Sequence, residues 1–196
     1  MPKHVILILL SIFIYFLGYV SVIFLPLYLH HSLNYSLKLT GIMLSLFGLG
    51  SILSSLYSGK LSDIFSPYLV STASTSLYSL TLILTYFTTG PRWLVAILLF
   101  LLGIGSAAFS PSSRIFLMKD IPLQDQSRIN GIRYILLNAG TAFSFGISGW
   151  IIQEDYRRIF IIGLICCIAT TFILLPLKQK DKKTTFVVEM HTIYNQ

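Results

Sequence analysis

The chain has 196 residues, of which 55% are hydrophobic and 11% charged, with a formal net charge of +7 and a mean hydropathy of +0.78. A soluble domain carries about 25% charged residues, so this composition excludes an ordinary water-soluble fold. The basic residues sit at the ends of apolar segments and in the C-terminal tail, not along one soluble face, which excludes a nucleic-acid-binding protein and follows the positive-inside rule.

No Asp, Glu, Lys or Arg occurs in residues 4–37, 39–59, 64–91, 93–113, 134–153 or 159–177. A helix needs about 20 apolar residues to cross the hydrocarbon core, and each interval supplies roughly that. The expected fold is an all-α membrane protein with six transmembrane helices, at about residues 5–28, 39–58, 67–88, 93–113, 132–152 and 159–177, and a polar cytoplasmic tail over 178–196.

The first expected helix follows Lys3. Its apolar run exceeds the ~7–15 residues of a signal peptide's core and no small-x-small cleavage site follows, so it reads as a retained helix. Tyr15 and Tyr19, near its middle, either line a cavity or pack. His30, His31, Asn34 and Lys38 form the first loop. The His pair reads as polar interface residues, because no Cys or carboxylate lies beside it to build a metal site.

The second helix carries small residues four apart, Gly41 with Ser45, then Ser51, Ser55 and Gly59, a spacing that lets helices approach closely in lipid. A polar turn from Gly59 to Tyr68 follows, holding Lys60 and Asp63. The third helix is rich in Ser and Thr, whose hydroxyls return hydrogen bonds to their own backbone and are tolerated in lipid. After Gly90-Pro91-Arg92, the fourth helix repeats the small-residue spacing at Gly103, Ala107 and Pro111. A polar connection of about 20 residues then holds Arg114, Lys119, Asp120, Asp125 and Arg128.

The fifth helix starts near Arg133 and carries Asn138, Gly140, Ser144 and Ser148, so that helices two, four and five read as a closely packed, mobile set. Gln153 to Arg158 make the next turn, and the sixth helix holds the adjacent Cys166 and Cys167. Neighbours on a helix point about 100° apart, so these two make neither a metal site nor a useful disulfide and read as small apolar residues.

With the N-terminus inside, Lys3, Lys60, Arg114, Lys119, Arg128, Arg133, Lys178, Lys180, Lys182 and Lys183 face the cytoplasm, while Lys38, Arg92, Arg157 and Arg158 face out. Ten against four places both termini in the cytoplasm. No Asp or Glu lies within an expected span, so this chain offers no obvious proton carrier. The polar candidates at bilayer depth are Arg133, which snorkels to the interface or meets a substrate, and Asn138, which bonds between helices or meets a substrate.

These features resemble the N-terminal six-helix half of a major facilitator superfamily transporter, from about residue 5 to 180. Pro26-Leu27-Tyr28-Leu29 closes the first helix in the family's manner. The turn after the second helix is similar to the signature G-x-x-x-D-R-x-G-R-R, with Gly59 and Asp63 at its first and fifth positions. Ile64 stands at the Arg, Ser66 at the second Gly, and Pro67 and Tyr68 at the basic pair. Gly103-Ile104-Gly105-Ser106-Ala107-Ala108 resembles the fourth-helix motif R-x-x-q-G-x-g-a-a, with Leu99 at its Arg. Gly131, Gly140 and Gly149 resemble the antiporter motif g-x8-G-x3-G-P-x2-G-G, from which Ser144, Phe145 and Ser148 depart.

The resemblance implies one major-facilitator-type bundle that works by alternating access with a second bundle. Gly59 and Asp63 would form a cytoplasmic gate, with Asp63 beside a helix N-terminus where the macrodipole favours a carboxylate. Arg133, Asn138, Tyr15 and Tyr19 would be the substrate or cavity residues, and Gly103, Gly105, Gly140 and Gly149 the packing residues. The implied activity is transport of a small molecule, drug or metabolite efflux, in the lipid bilayer of a bacterial plasma (inner) membrane. A second copy or a separate half would be its partner. The alternative is a truncated, non-transporting remnant or a membrane interaction partner. No enzyme, cofactor or metal site is expected, because the sequence has no His/Glu zinc pattern, nucleophile elbow or membrane Asp pair.

Overall fold

In lipid a backbone must satisfy its own polar groups, and a helix does so within one segment. The computed structural model describes residues 2–88, 90–151 and 155–178, and all regular structure among them is helical. The first rod is α1 (Lys3–Leu17), α2 (Val20–Ile23), α3 (Leu25–Leu27) and a π-helical turn (Tyr28–Ser32). It breaks at Phe24 because Pro26 has no N–H to offer the Val22 carbonyl. There follow α4 (Leu37–Ile64), α5 (Pro67–Phe87), α6 (Arg92–Ala107), α7 (Phe109–Met118), α8 (Leu123–Ile151) and α9 (Arg158–Leu174), which ends in a 3-10 turn (Leu175–Leu177). Gln153, Glu154 and the expected tail beyond Lys178 lie outside the described residues.

Among the described residues, four stretches are long and apolar enough to cross a membrane: Lys3–Ser32, Leu37–Ile64, Arg92–Met118 and Arg158–Leu177. The other two long helices, α5 and α8, are diluted by hydroxyls and by charges respectively. Most α5 hydroxyls are nevertheless paired, for example Ser71 to the Pro67 carbonyl at 2.8 Å, Ser79 to the Thr75 carbonyl at 2.8 Å and Thr85 to the Thr81 carbonyl at 2.7 Å.

Two expected helix ends move. α4 continues through Gly59 and Asp63 to Ile64, so the turn expected over Gly59–Tyr68 shrinks to Phe65 and Ser66. The long connection after the fourth helix shrinks to residues 119–122, since α7 keeps Arg114 and α8 begins at Leu123. Charge marks the edge of the bilayer, whereas helical hydrogen bonding continues into water, so the two boundaries need not coincide. Asp63 consequently lies in the last turn of α4, where the macrodipole disfavours a carboxylate, and not at a helix N-terminus as expected.

Ser66 caps α5, accepting a hydrogen bond from the Leu69 N–H at 3.2 Å, with Pro67 at the first helical position. Its φ of 130° and ψ of 147° lie in a region that essentially only glycine tolerates, at the position where the family signature has its second glycine. Such strain costs about 1–3 kcal/mol, against a few tenths for replacing a Ser cap by Gly. Ser66→Gly is therefore expected to stabilise the chain by about 1 kcal/mol, measured by chemical unfolding in detergent. A loss of stability would mean that the cap outweighs the strain.

The rods pack in an arc whose order is α8, α1, α9, α5, α6, α4, with α7 lying inside it against α5, α4 and α1. This corrects the expected grouping of helices two, four and five. α4 packs on α6, but α8 packs on α1, so α4 and α8 stand at opposite ends of the arc. Tyr15, Tyr78 and Phe109 are fully buried where α1, α5 and α7 meet, and Tyr28 and Phe160 are fully buried against one another where the π-helical turn meets α9. Backbone contacts need small residues, and they have them. A Cβ on Gly103 would overlap the Phe47 carbonyl oxygen, one on Gly105 would lie 2.7 Å from the Tyr78 nitrogen, and one on Gly140 2.7 Å from the Phe13 carbonyl. Gly149 departs from its expected packing role: a Cβ there meets nothing within 4 Å, because it points away from α1.

Candidate functional site

Residues seven and four apart share one face of a helix. Ser55 and Ser62 on α4, Ser110 and Arg114 on α7, and Gln126 and Arg133 on α8 follow that rule and line one cavity of about 1100 Å³. It fills the gap between the two ends of the arc. Pro111 helps to shape it, since its missing N–H leaves the Ala107 carbonyl without the usual helical donor, and α6 ends there.

Arg133 is the deepest charge among the described residues, only 3% exposed. Its Nη2 donates to the Ser110 Oγ at 2.7 Å and to the Ser110 carbonyl at 3.0 Å, while its Nε has no partner. The guanidinium carbon also lies 5.5 Å from the centre of the Tyr134 ring. Asp63, Arg114 and Lys119 stand exposed around the same cavity. The cavity thus joins two of the sequence candidates, Asp63 and Arg133, with Arg114, Lys119 and Ser110, which sequence reasoning did not single out. The signal for Ser110 was its place beside Pro111, where a helix must loosen.

The remaining candidates lie elsewhere. Gly59 is on α4, and a Cβ there would meet nothing within 4 Å. Asn138 is exposed, and its Nδ2 donates to the Tyr134 carbonyl at 2.8 Å, a bond within its own helix and not between helices. Tyr15 does not line the cavity. Its ring stacks on Phe109 with centroids 4.1 Å apart, and its hydroxyl donates to the Ser106 carbonyl at 2.7 Å, which fastens α1 to the α6–α7 break. Tyr19 is half-buried beside Phe16 and also lies away from the cavity. His30 bonds through Nδ1 to the Tyr35 carbonyl at 2.8 Å, and His31 stacks on Tyr156 with centroids 5.1 Å apart. Among the described residues no three His, Cys, Asp or Glu side chains converge as metal ligands.

The sequence profile of the Major Facilitator Superfamily matches residues 7–189. The fold is similar to that of the POT family transporter PepTSo, with a TM-score of 0.78 and 17% identity, over 91% of this chain and 38% of that one. It is also similar to a bacterial homologue of the iron transporter ferroportin in an outward-facing state, with a TM-score of 0.77 and 16% identity, over 91% of this chain and 46% of that one. The chain therefore spans less than half the length of either structure. No curated protein matches it.

Proposed function

This chain belongs to the Major Facilitator Superfamily, and from that premise we propose that it forms one half of a small-molecule transporter working by alternating access. All six rods cross the bilayer in this reading, α5 and α8 included, with both termini in the cytoplasm of a bacterial cell. A second six-helix bundle closes the cavity. Drug or metabolite efflux is the activity proposed.

The observation that carries this reading is the cavity between α4 and α8. Both helices leave glycines uncovered along their lengths, Gly41, Gly48 and Gly59 on α4 and Gly131, Gly146 and Gly149 on α8. Close-approach residues with nothing to approach suit a second bundle packed across the gap. Native mass spectrometry from membranes tests the assembly: a paired particle is expected, and a strictly monomeric one would overturn transport in favour of a non-transporting remnant.

Asp63 and Gly59 form the gate in this reading. A carboxylate in the last turn of a helix is unfavourably placed, and a cationic group or helix N-terminus from the second bundle would relieve it. Making and breaking that contact is a two-state switch. Asp63→Asn is expected to slow flux in reconstituted vesicles roughly tenfold, the equivalent of one charge-assisted hydrogen bond, while leaving membrane insertion intact. Unchanged flux would remove Asp63 from the gate.

A further inference from the structure

We propose that the cavity between α4, α7 and α8 is an anion site, with Arg133 as its buried anchor and an organic carboxylate or phosphate as its ligand. The substrate class rests on the transporter reading above, but the binding does not.

A guanidinium buried to this depth is costly unless it is paired and its donors are used. Arg133 meets only half of that condition. Ser110 satisfies Nη2 twice, whereas Nε has no partner, and among the described residues no carboxylate lies within 4 Å of the group. Snorkelling does not explain it, because a snorkelling arginine reaches water and this one is 3% exposed. What the group lacks is an acceptor carrying negative charge, and with Nη2 held by Ser110 an oxygen of a carboxylate or phosphate would serve the donors that remain, Nε among them.

The surroundings agree. Arg114 lines the same cavity, so two cations, Arg133 and Arg114, face one carboxylate, Asp63, which sits exposed at the rim. The field inside is positive, and it draws anions in from solution. The volume, about 1100 Å³, exceeds the needs of a bare anion. Ile115, Met118 and Leu137 supply apolar wall beside the charged groups. An anionic head on an apolar body fits this division, whether the head belongs to a soluble solute or to a lipid.

The test uses the full chain purified in a neutral detergent, titrated with phenyl phosphate and with benzyl alcohol as the uncharged control, and read by calorimetry. Phenyl phosphate is expected to bind and to weaken as salt rises, and benzyl alcohol is not. Arg133→Met keeps the volume and removes the charge. It is expected to weaken binding roughly 10- to 100-fold, with Arg133→Lys in between. Arg114→Gln, at an exposed position that does not hold the fold, is expected to weaken binding about threefold, so the idea stays testable if the Arg133 variants misfold. Native mass spectrometry with phosphatidylglycerol against phosphatidylcholine separates the sources. Arg133-dependent retention of phosphatidylglycerol that phenyl phosphate cannot displace identifies a lipid headgroup, and displacement identifies a site open to solutes. Either result upholds the site. Equal binding of phenyl phosphate and benzyl alcohol, or phenyl phosphate binding unaffected by both Arg133→Met and Arg114→Gln, would overturn it. A chain that binds the anion but moves nothing in vesicles keeps this site and removes the transport reading instead.

Discussion

Gly103→Leu is expected to separate α4 from α6 and to leave little folded chain after extraction. The contact is made by backbone, not by side-chain tips. A Cβ on Gly103 would overlap the Phe47 carbonyl oxygen and lie 3.0 Å from the Ser51 nitrogen, and one on Gly50 would overlap the Phe100 carbonyl oxygen. Rotating a side chain relieves neither overlap, so the helices must move apart. Their approach also allows the Ser54 hydroxyl to donate to the Ile104 carbonyl at 2.7 Å, which separation would break. In lipid there is no hydrophobic force to pull the helices back together, because the surrounding tails are equally apolar. Overpacking of this kind costs about 3 kcal/mol or more, a large share of the ~5–15 kcal/mol that holds a protein together. Chemical unfolding in detergent, followed by circular dichroism, measures it. Gly103→Ala should show a smaller loss of the same sign. Gly48→Ala, where the added carbon meets nothing, should gain up to about 1 kcal/mol of helix propensity. If Gly103→Leu unfolds at the wild-type midpoint, the α4–α6 contact described here is wrong.

Gly163→Leu is expected to open the centre of the bundle. A Cβ there would lie 2.6 Å from the Ser21 Oγ, 3.2 Å from the Gly18 carbonyl and 3.2 Å from Leu82 Cδ1, so α9, the first rod and α5 all converge on this glycine. The Ser21 hydroxyl also shares a hydrogen bond of 2.7 Å with the buried Tyr78 hydroxyl, linking the first rod to α5. Displacing Ser21 leaves two buried hydroxyls short of partners in addition to the steric cost, together about 4 kcal/mol. Two thiols report on the damage. Cys166 and Cys167 are free and buried on the same helix, and maleimide should reach them in the variant but not in the wild type. Equal labelling in both proteins would show that the three rods can absorb a leucine. Tyr78→Phe removes only the hydrogen bond and should cost about 1 kcal/mol, which separates the polar part from the steric part.

Much of the architecture could be read from the order of residues, for reasons that are local. Runs of apolar residues without charge locate the helices. Self-bonding hydroxyls explain how Ser71, Ser79 and Thr85 sit in α5. The ends of α4 and α8 were not legible, because the helix outlasts the bilayer and its charged residues look like loop. That single displacement moved Asp63 from a helix start to a helix end. Tyr15 was ambiguous for a different reason: a tyrosine at bilayer depth needs a partner for its hydroxyl, and the sequence does not say that the partner is the Ser106 carbonyl, 91 positions away.

The same division holds for the candidate site. An arginine inside an apolar helix was visible as an anomaly at Arg133. Its burial, its bond to Ser110 and its empty Nε were not, since each depends on how α7 and α8 face one another. The sequence alone determined the solvent this chain lives in, its helical class and the faces on which its small residues fall, because hydropathy and helical period act within one segment. Only the tertiary structure decided which helices those faces meet. Gly103 and Gly140 are buried against neighbours, while Gly149 on the same motif as Gly140 looks into open space. Spacing along a helix defines a face, but a face acquires its partner only when the arc of helices closes in three dimensions.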